Sequence, residues 1–360
     1  MSRRPTISDV ARAAGVSKGA VSFALNGRPG IAPATRERIM RAASELGWTP
    51  SHRARALSSS RSLAVGLVVA RTPETLGADP FFPAFIAGIE SVLAEHGHAL
   101  VLQVVTDERA EHESYRRLAA DGRVDGVFLT DLRSHDSRPS LLTRLGLPAV
   151  CVAPRPTWGR IPAVSVDDRP GIAAATHHLI ELGHTHIAHV AGSAGLVHGV
   201  SRREAWAGAL RSAGLPVGPC VVADFSAAGG AAATKELLDR VDPPTAIVYA
   251  NDLMAIAGMS TAIGCGIGVP ADLSITGFDD TEVAAHLQPP LTSVRTDAIG
   301  WGRAAALRLL ALLDGRDTPE PHLSPPELVV RASTAPPPDP HPTTGRRRPA
   351  SMRPRTETHP

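Results

Sequence analysis

From Leu63 onward the chain alternates between two textures. Short apolar runs recur: "LAVGLVVA", "ALVLQVV", "DGVFLT", "PAVCVA", "IAHVAG", "TAIVYA" and "LSITGF". Between most of them lie stretches with helical periodicity, such as "FPAFIAGIESVLAEHG", "GIAAATHHLIELG", "REAWAGALRSAG" and "GGAAATKELLDRV". A short continuous apolar run fits a strand buried on both faces. Such strands alternating with helices predict parallel sheets covered by crossover helices. The pattern persists for about 270 residues, more than one open sheet needs, so two α/β subdomains are expected.

The first part of the chain reads differently. Residues 6–47 are helical in pattern throughout: "TISDVARAAG", "SKGAVSFALNG" and "PATRERIMRAASELG". Each stretch ends in glycine, a common helix stop. Thr6 or Ser8 is placed to cap the first helix and Ser17 the second, by accepting a backbone N–H. Val10, Ala14, Val16, Val21 and Leu25 are spaced to bury one face, and Ala11 is small enough for a close helix crossing. With Gly15 in the turn, this is the pattern of a helix-turn-helix. The second helix then presents Lys18, Gly19, Ser22 and Phe23 outward, where such a helix reaches base edges in the major groove. A basic, Ser-rich linker, "WTPSHRARALSSSRS", follows. The tail "PPPDPHPTTGRRRPASMRPRTETHP" has too few apolar residues to form a core and is expected to be disordered.

Charge separates these parts further. The formal net charge is only +2. Residues 1–61 carry 11 Lys/Arg and 3 Asp/Glu, whereas the middle of the chain is acidic and the tail basic. A small basic head on an acidic body suits a polyanionic partner for the head. The three cysteines, Cys151, Cys220 and Cys265, are far apart and show neither zinc nor disulfide-framework spacing. No apolar run approaches the roughly 20 residues of a bilayer span. No apolar signal segment follows the basic start, so a cytoplasmic location is expected.

The stretch "TISDVARAAGVSKGAVSFALNG" resembles the opening of the LacI/GalR family of bacterial transcription regulators. The resemblance continues through "ATRERIMRAASELGWTP" and "RARALSSSRS" and across the core to about Thr334. It implies an all-α helix-turn-helix domain at 1–50 and a hinge helix and linker at 51–61. It also implies an α/β core at 62–334, made of two Rossmann-like subdomains similar to periplasmic binding proteins, with the tail at 335–360 outside it. The implied DNA-facing set is Thr6, Ser17, Lys18, Gly19, Ser22, Phe23, Asn26, Arg36, Arg53, Ala54 and Leu57. Leu57 would wedge into the minor groove from a hinge helix ordered on DNA; so short a helix is marginal alone, and apolar wedges kink the duplex.

Matching stretches in the core are "DPFFPAFIAGIE", "HLIELGHTHIAHVAG", "SRREAWAGAL", "YANDLMAIAG" and "ITGFDDTEVAAHLQPPLTSV". They imply an effector cleft between the subdomains with Phe82, Arg202, Asn251 and Asp279 as contacts, and Arg203 as rival to Arg202. Arginine and carboxylate groups suit the neighbouring hydroxyls of a sugar. Three departures stand out. Phe23 and Ala20 replace residues usual in the reading helix, and phenylalanine cannot make the bidentate guanine contact of an arginine. Ala32 stands where a serine cap is common. Ala153 or Pro154 stands where relatives often carry an aspartate.

The expected function is therefore a DNA-binding regulator, most simply a repressor, acting as a homodimer on a pseudo-palindromic operator and controlled by a small effector, a sugar or related polar metabolite. A solute-binding sensor without specific DNA binding is the alternative. An enzyme is not expected: there is no GxSxG, P-loop or HExxH, and Asp279 and Asp280, adjacent at a strand end, point opposite ways. No cofactor and no metal is expected. The histidines of "HHLIELGHTHIAH" lack companion ligands, and "GCGIGVP" follows a helix and reads as a turn.

Overall fold

The computed structural model describes residues 5–25, 29–48, 61–153, 161–317 and 319–338. Asn26, the hinge segment with Arg53, Ala54 and Leu57, Pro154 and most of the tail lie outside the described residues.

The head consists of α1 (Ile7–Ala14), α2 (Lys18–Leu25) and α3 (Pro33–Glu45). Thr6 starts α1, donating its N–H and hydroxyl to Asp9 Oδ2 at 2.9 and 2.7 Å. Ser17 starts α2: its Oγ accepts the Ala20 N–H at 3.2 Å. Gly15 takes φ 62° in the turn, a conformation that a side chain would strain. Val10, Ala11, Ala14, Val21, Ala24, Ile39, Ala42 and Ala43 form the core. So many alanines let three short helices approach closely. Ala32 gives α3 no side-chain cap, and Pro33 at the first turn supplies the helical φ instead.

The body contains two sheets. The first has strands β1 (Ala64–Ala70), β2 (Ala99–Val105), β3 (Gly126–Leu129), β4 (Ala149–Val152) and β5 (Ala163–Val164), in the order β2-β1-β3-β4-β5. All pairs are parallel, with Val65 opposite both Leu100 and Gly126. Its helices are α4 (Pro73–Ala78), α5 (Phe81–Glu95), α6 (Glu108–Ala120) and α7 (Arg138–Leu145). The second sheet has β6 (Ile187–Ala191), β7 (Cys220–Val222), β8 (Ala246–Tyr249), β9 (Ser274–Asp279), β10 (Thr292–Arg295) and β11 (Glu327–Val329), ordered β11-β10-β9-β8-β6-β7. Only β11 runs antiparallel, at the edge. Its helices are α8 (Arg169–Glu181), α9 (Val197–Ser212), α10 (Ala227–Leu238) and α11 (Asp252–Gly264).

The chain crosses between the sheets three times. It passes from β5 to α8, returns after β10 as α12 (Ala298–Leu313), and goes back as β11. Trp301, Ala305, Ala306, Leu309 and Leu310 of α12 complete the core of the first subdomain beside Val65, Leu67, Phe85 and Ile89. The α5–α12 contact is backbone-close. A Cβ on Gly88 would lie 2.1 Å from Ile299 O, and one on Gly302 would lie 2.2 Å from Phe85 O.

The seven apolar runs read in the sequence are β1, β2, β3, β4, β6, β8 and β9. The other four strands are short, and one of them reads "TSVR". The "GCGIGVP" stretch is a turn, with Gly266 at φ 79° just after α11.

Candidate functional site

Strands of both sheets end at one cleft, the usual ligand position in open α/β sheets. The space between the walls is about 700 Å³ with the solvent at its mouth included. One antiparallel backbone bridge crosses it, between Arg133 and Leu196, in which the Val197 N–H donates to Leu132 O at 2.8 Å.

Arg202 and Asp279 reach this cleft together with Asn251. Arg202 projects from α9 and is buried. Its Nε donates to Asp168 Oδ2 at 2.8 Å, and another of its nitrogens donates to Ala250 O at 2.5 Å. Its guanidinium lies 3.8 Å from the centre of the Phe278 ring. Arg203, the sequence rival, does not line the cleft. Asn251 serves the fold as well as the cavity: its Oδ1 accepts the Met254 N–H and so caps α11, while its Nδ2 donates to Phe225 O, both at 3.0 Å.

Asp279 ends β9 at φ 114°. Burial raises its pKa well above the ordinary carboxylate value; Arg202 opposes the rise, and Asp252, Asp79 and Asp168 reinforce it. Asp280 turns the other way, onto Arg295 at 2.7 Å and Arg331 at 2.6 Å. That divergence is the one expected for adjacent residues at a strand end.

Phe82 is not a cleft residue. It is buried in the core of the first subdomain, with the Arg71 guanidinium 5.1 Å from its ring centre. Its neighbour Phe81 lines the cleft instead. The two sit at the start of α5, where one residue turns a side chain by about 100°.

Sequence reasoning missed most of the remaining wall: Arg71, Asp79, Asp131, Asp168, His198, Phe225 and Trp301. Arg71 donates from Nε and a second nitrogen to Asp131 at 2.7 and 2.9 Å, and from a third to Asp79 at 2.7 Å. Its pKa is raised by Asp131 and Asp79 against the opposing effect of burial. His198 is held neutral, its pKa pushed down to about 4 by burial and by Arg202. A usable signal was present: Arg71 and Asp131 each directly follow an apolar run, where strand ends meet the cleft.

Two features of the cleft bear on binding. Asp168 Oδ1 and Trp301 Nε1 are enclosed and have no hydrogen-bond partner among the described residues. Such groups cost about 1–3 kcal/mol each unless something satisfies them. In addition, Asp131, Phe225 and Asp279 take φ of 48°, 68° and 114°, although none is glycine. Backbone strain of this kind concentrates at ligand sites. Ala153 also lines the cleft where an aspartate was expected to be missing, so Asp131 and Asp168 are the nearby carboxylates.

On the head, Ser17, Lys18 and Gly19 are exposed, and Phe23 is 42% exposed on the same helix. Ser22 and Arg36 are half-buried, and Thr6 is exposed at the start of α1. The histidines go to structural work. His178 meets Thr334 Oγ1 at 2.9 Å, His184 meets Thr245, Ser274 and Ala335, and His189 meets Val248 O at 2.7 Å. Among the described residues no cluster is arranged to hold a metal ion, and no helix is long and apolar enough to cross a membrane.

Known proteins share this layout. Residues 6–51 match the family described as bacterial regulatory proteins, lacI family, and residues 176–334 match the periplasmic binding protein-like domain. The HTH-type transcriptional regulator CelR of Thermobifida fusca is 38% identical over 321 residues, covering 88% of this chain and 94% of that protein. The HTH-type transcriptional regulator reg1 of Streptomyces lividans is 35% identical, covering 91% and 96%. Among solved structures, the CelR–cellobiose complex matches with a TM-score of 0.69 and 36% identity, over 92% of this chain and 100% of that one. The lac repressor dimer bound to operator and the anti-inducer ONPF matches with a TM-score of 0.79 and 29% identity, again over 92% and 100%.

Proposed function

The chain belongs to the lacI family of bacterial regulatory proteins, and from that premise we propose that it is an operator-binding repressor of the cytoplasm, released by a small polar effector held in the cleft. It is a DNA-binding transcription regulator and not an enzyme. Two copies pair, and each sets α2 into one major-groove half-site of a pseudo-palindrome. Leu57 of each copy enters the central minor groove. Lys18, Ser22 and Phe23 read the half-site. Phe23 brings an apolar ring to the groove, where the thymine methyl is the apolar partner on offer.

The observation that carries the effector assignment is the pair of enclosed, unsatisfied atoms, Asp168 Oδ1 and Trp301 Nε1, at a cleft where the Arg71 and Arg202 guanidiniums are already paired. Ligand hydroxyls both donate and accept, and so suit atoms of both kinds. Arg202, Asn251 and Asp279 complete the contact set, with Phe81 in the place first given to Phe82. The relative solved with cellobiose supports a sugar as the ligand. Effector and operator must prefer different arrangements of the two subdomains, since a ligand with equal affinity for both would shift nothing.

The test is selection of random duplexes by the full-length protein at physiological salt, where phosphate contacts alone bind weakly. Enrichment of a pseudo-palindrome is expected, and Leu57→Ala should lose specific binding while keeping salt-sensitive nonspecific binding. Absence of any enriched sequence would overturn the regulator reading in favour of a sensor that does not specify DNA.

A further inference from the structure

The second helix of the head carries two residues that its fold does not ask for. The first is Gly19, at the second position of α2. Its backbone is not in the left-handed region that calls for glycine. A Cβ built there meets only Ser17 Oγ, at 3.7 Å, an ordinary contact. Helices favour alanine over glycine, so neither conformation nor packing within the head explains the missing side chain. Glycine in such a place lets another surface approach the backbone closely.

The second is Phe23, one turn further on. Val21 and Ala24 face the core of the head, and Leu25 packs against it. Phe23 is not among them and is 42% exposed. Residues four apart share a helix face, and a helical side chain leans back over the preceding turn. That direction takes the Phe23 ring over bare Gly19, with exposed Lys18 next to Gly19 in the chain. A patch made of glycine backbone and a phenyl ring offers no side-chain donor or acceptor to a base edge. What such a patch distinguishes in the major groove is an apolar group, and the one presented there is the methyl on C5 of thymine. Cytosine carries only a hydrogen at that carbon. 5-Methylcytosine carries the methyl of thymine in the same place and keeps the hydrogen-bonding pattern of cytosine.

We infer that the Gly19–Phe23 patch reads a C5 methyl group as such, so that the head tells 5-methylcytosine from cytosine and methylation of the DNA at that base pair strengthens binding. This rests on α2 being the helix in the major groove, and goes beyond it by making a covalent mark on the DNA an input to the regulator.

The experiment uses the full-length protein and the duplex enriched by selection, with binding read by fluorescence anisotropy. Each thymine of a half-site is replaced in turn by deoxyuridine, which removes only the methyl group. At one thymine per half-site the loss should be about fourfold, the worth of one buried methyl, and about fifteenfold when both half-sites are changed. A cytosine–guanine pair at that position should bind about fourfold more tightly once its cytosine carries the 5-methyl group. Phe23→Ala should bind the thymine and deoxyuridine duplexes alike. The side chain lies outside the head's core, so this variant should fold, which circular dichroism checks. Gly19→Ala should lose operator affinity with no fall in unfolding temperature, the reverse of what a structural role would give; unchanged affinity counts against the inference. If the operator is bound but no thymine responds to deoxyuridine, or if the response persists in Phe23→Ala, the inference is overturned and α2 remains the reading helix. If no duplex is enriched at all, the regulator reading fails and the inference falls with it.

Discussion

The two halves of the core share a fold and a cleft, yet they bury polar groups in different ways. The first half closes its charges into ion-pair sets. Besides Arg71 with Asp79 and Asp131, Arg138 is buried against Glu111 at 2.7 Å and Asp136 at 2.5 Å, and donates to Thr130 O and Asp131 O. The second half has ion pairs of its own, Arg202 with Asp168 and Asp280 with Arg295 and Arg331, and adds buried groups whose charged forms are disfavoured. His189 is stacked on Trp206, with its ring nitrogen on Val248 O, and burial pushes its pKa down to about 4. Asp252 accepts from Ser293 and from the N–H and hydroxyl of Thr281, and burial pushes its pKa up to about 6. Full charges locked in place make the first wall a fixed template, since breaking one pair strands another charge. The second wall also carries groups whose charge burial disfavours, so it responds to protonation.

The strongest way to break this comparison is at Arg138. Arg138→Met leaves Glu111 and Asp136 buried without their shared partner, and should cost about 3–5 kcal/mol of stability in denaturant unfolding. A cost below about 1 kcal/mol would mean that the ion-pair set is not what fixes the first wall.

Asp252→Asn sharpens the contrast. An asparagine has one acceptor oxygen for the donors of Ser293 and Thr281, so a loss of about 1–3 kcal/mol is expected. The penalty should also depend on pH. A raised carboxyl pKa gives stability that is fully present below the ordinary value of about 4 and lost as pH rises through about 6. The penalty should therefore be larger at pH 4 than at pH 7. Denaturation curves at the two pH values decide it, and an equal penalty would contradict the shift.

Near neutral pH the smallest effect is at His189. Its lowered pKa gives stability that is complete above the free histidine value of about 6.5 and lost as pH falls towards about 4. His189→Asn keeps a donor for Val248 O and has nothing to protonate. It should flatten the acid limb by up to about 1.4 kcal/mol per pH unit in that window. Parallel stability–pH curves for the two proteins would show that another group controls the limb.

The contrast between the halves was only partly legible in the sequence. Strands buried on both faces announce themselves as apolar runs, which is why β1, β2, β3, β4, β6, β8 and β9 could be read. β7, β10 and β11 are short edge-side or polar segments whose partners come from elsewhere in the chain, and no local pattern marks them. In the cleft, Arg202, Asn251 and Asp279 were reached through motif resemblance. Arg71, Asp79, Asp131 and Asp168 were not, because an ion-pair set is a property of three-dimensional pairing between residues as far apart as Arg71 and Asp131. Phe82 and Phe81 show the resolution limit of such reading: both are aromatic and adjacent, and only the helix phase separates core from cleft.

The route of α12 has a consequence for how the protein comes into being. The core of the first half contains Trp301 and Leu309, and the second sheet is finished by β11 and by Ser333, whose hydroxyl accepts the Thr292 N–H and donates to Ile275 O. On the ribosome, the head can complete its own small core from residues 10–43 early, while both halves of the sensor wait for the last stretch to emerge. Nascent chains thus close the core of the helical head before either half of the sensor is closed.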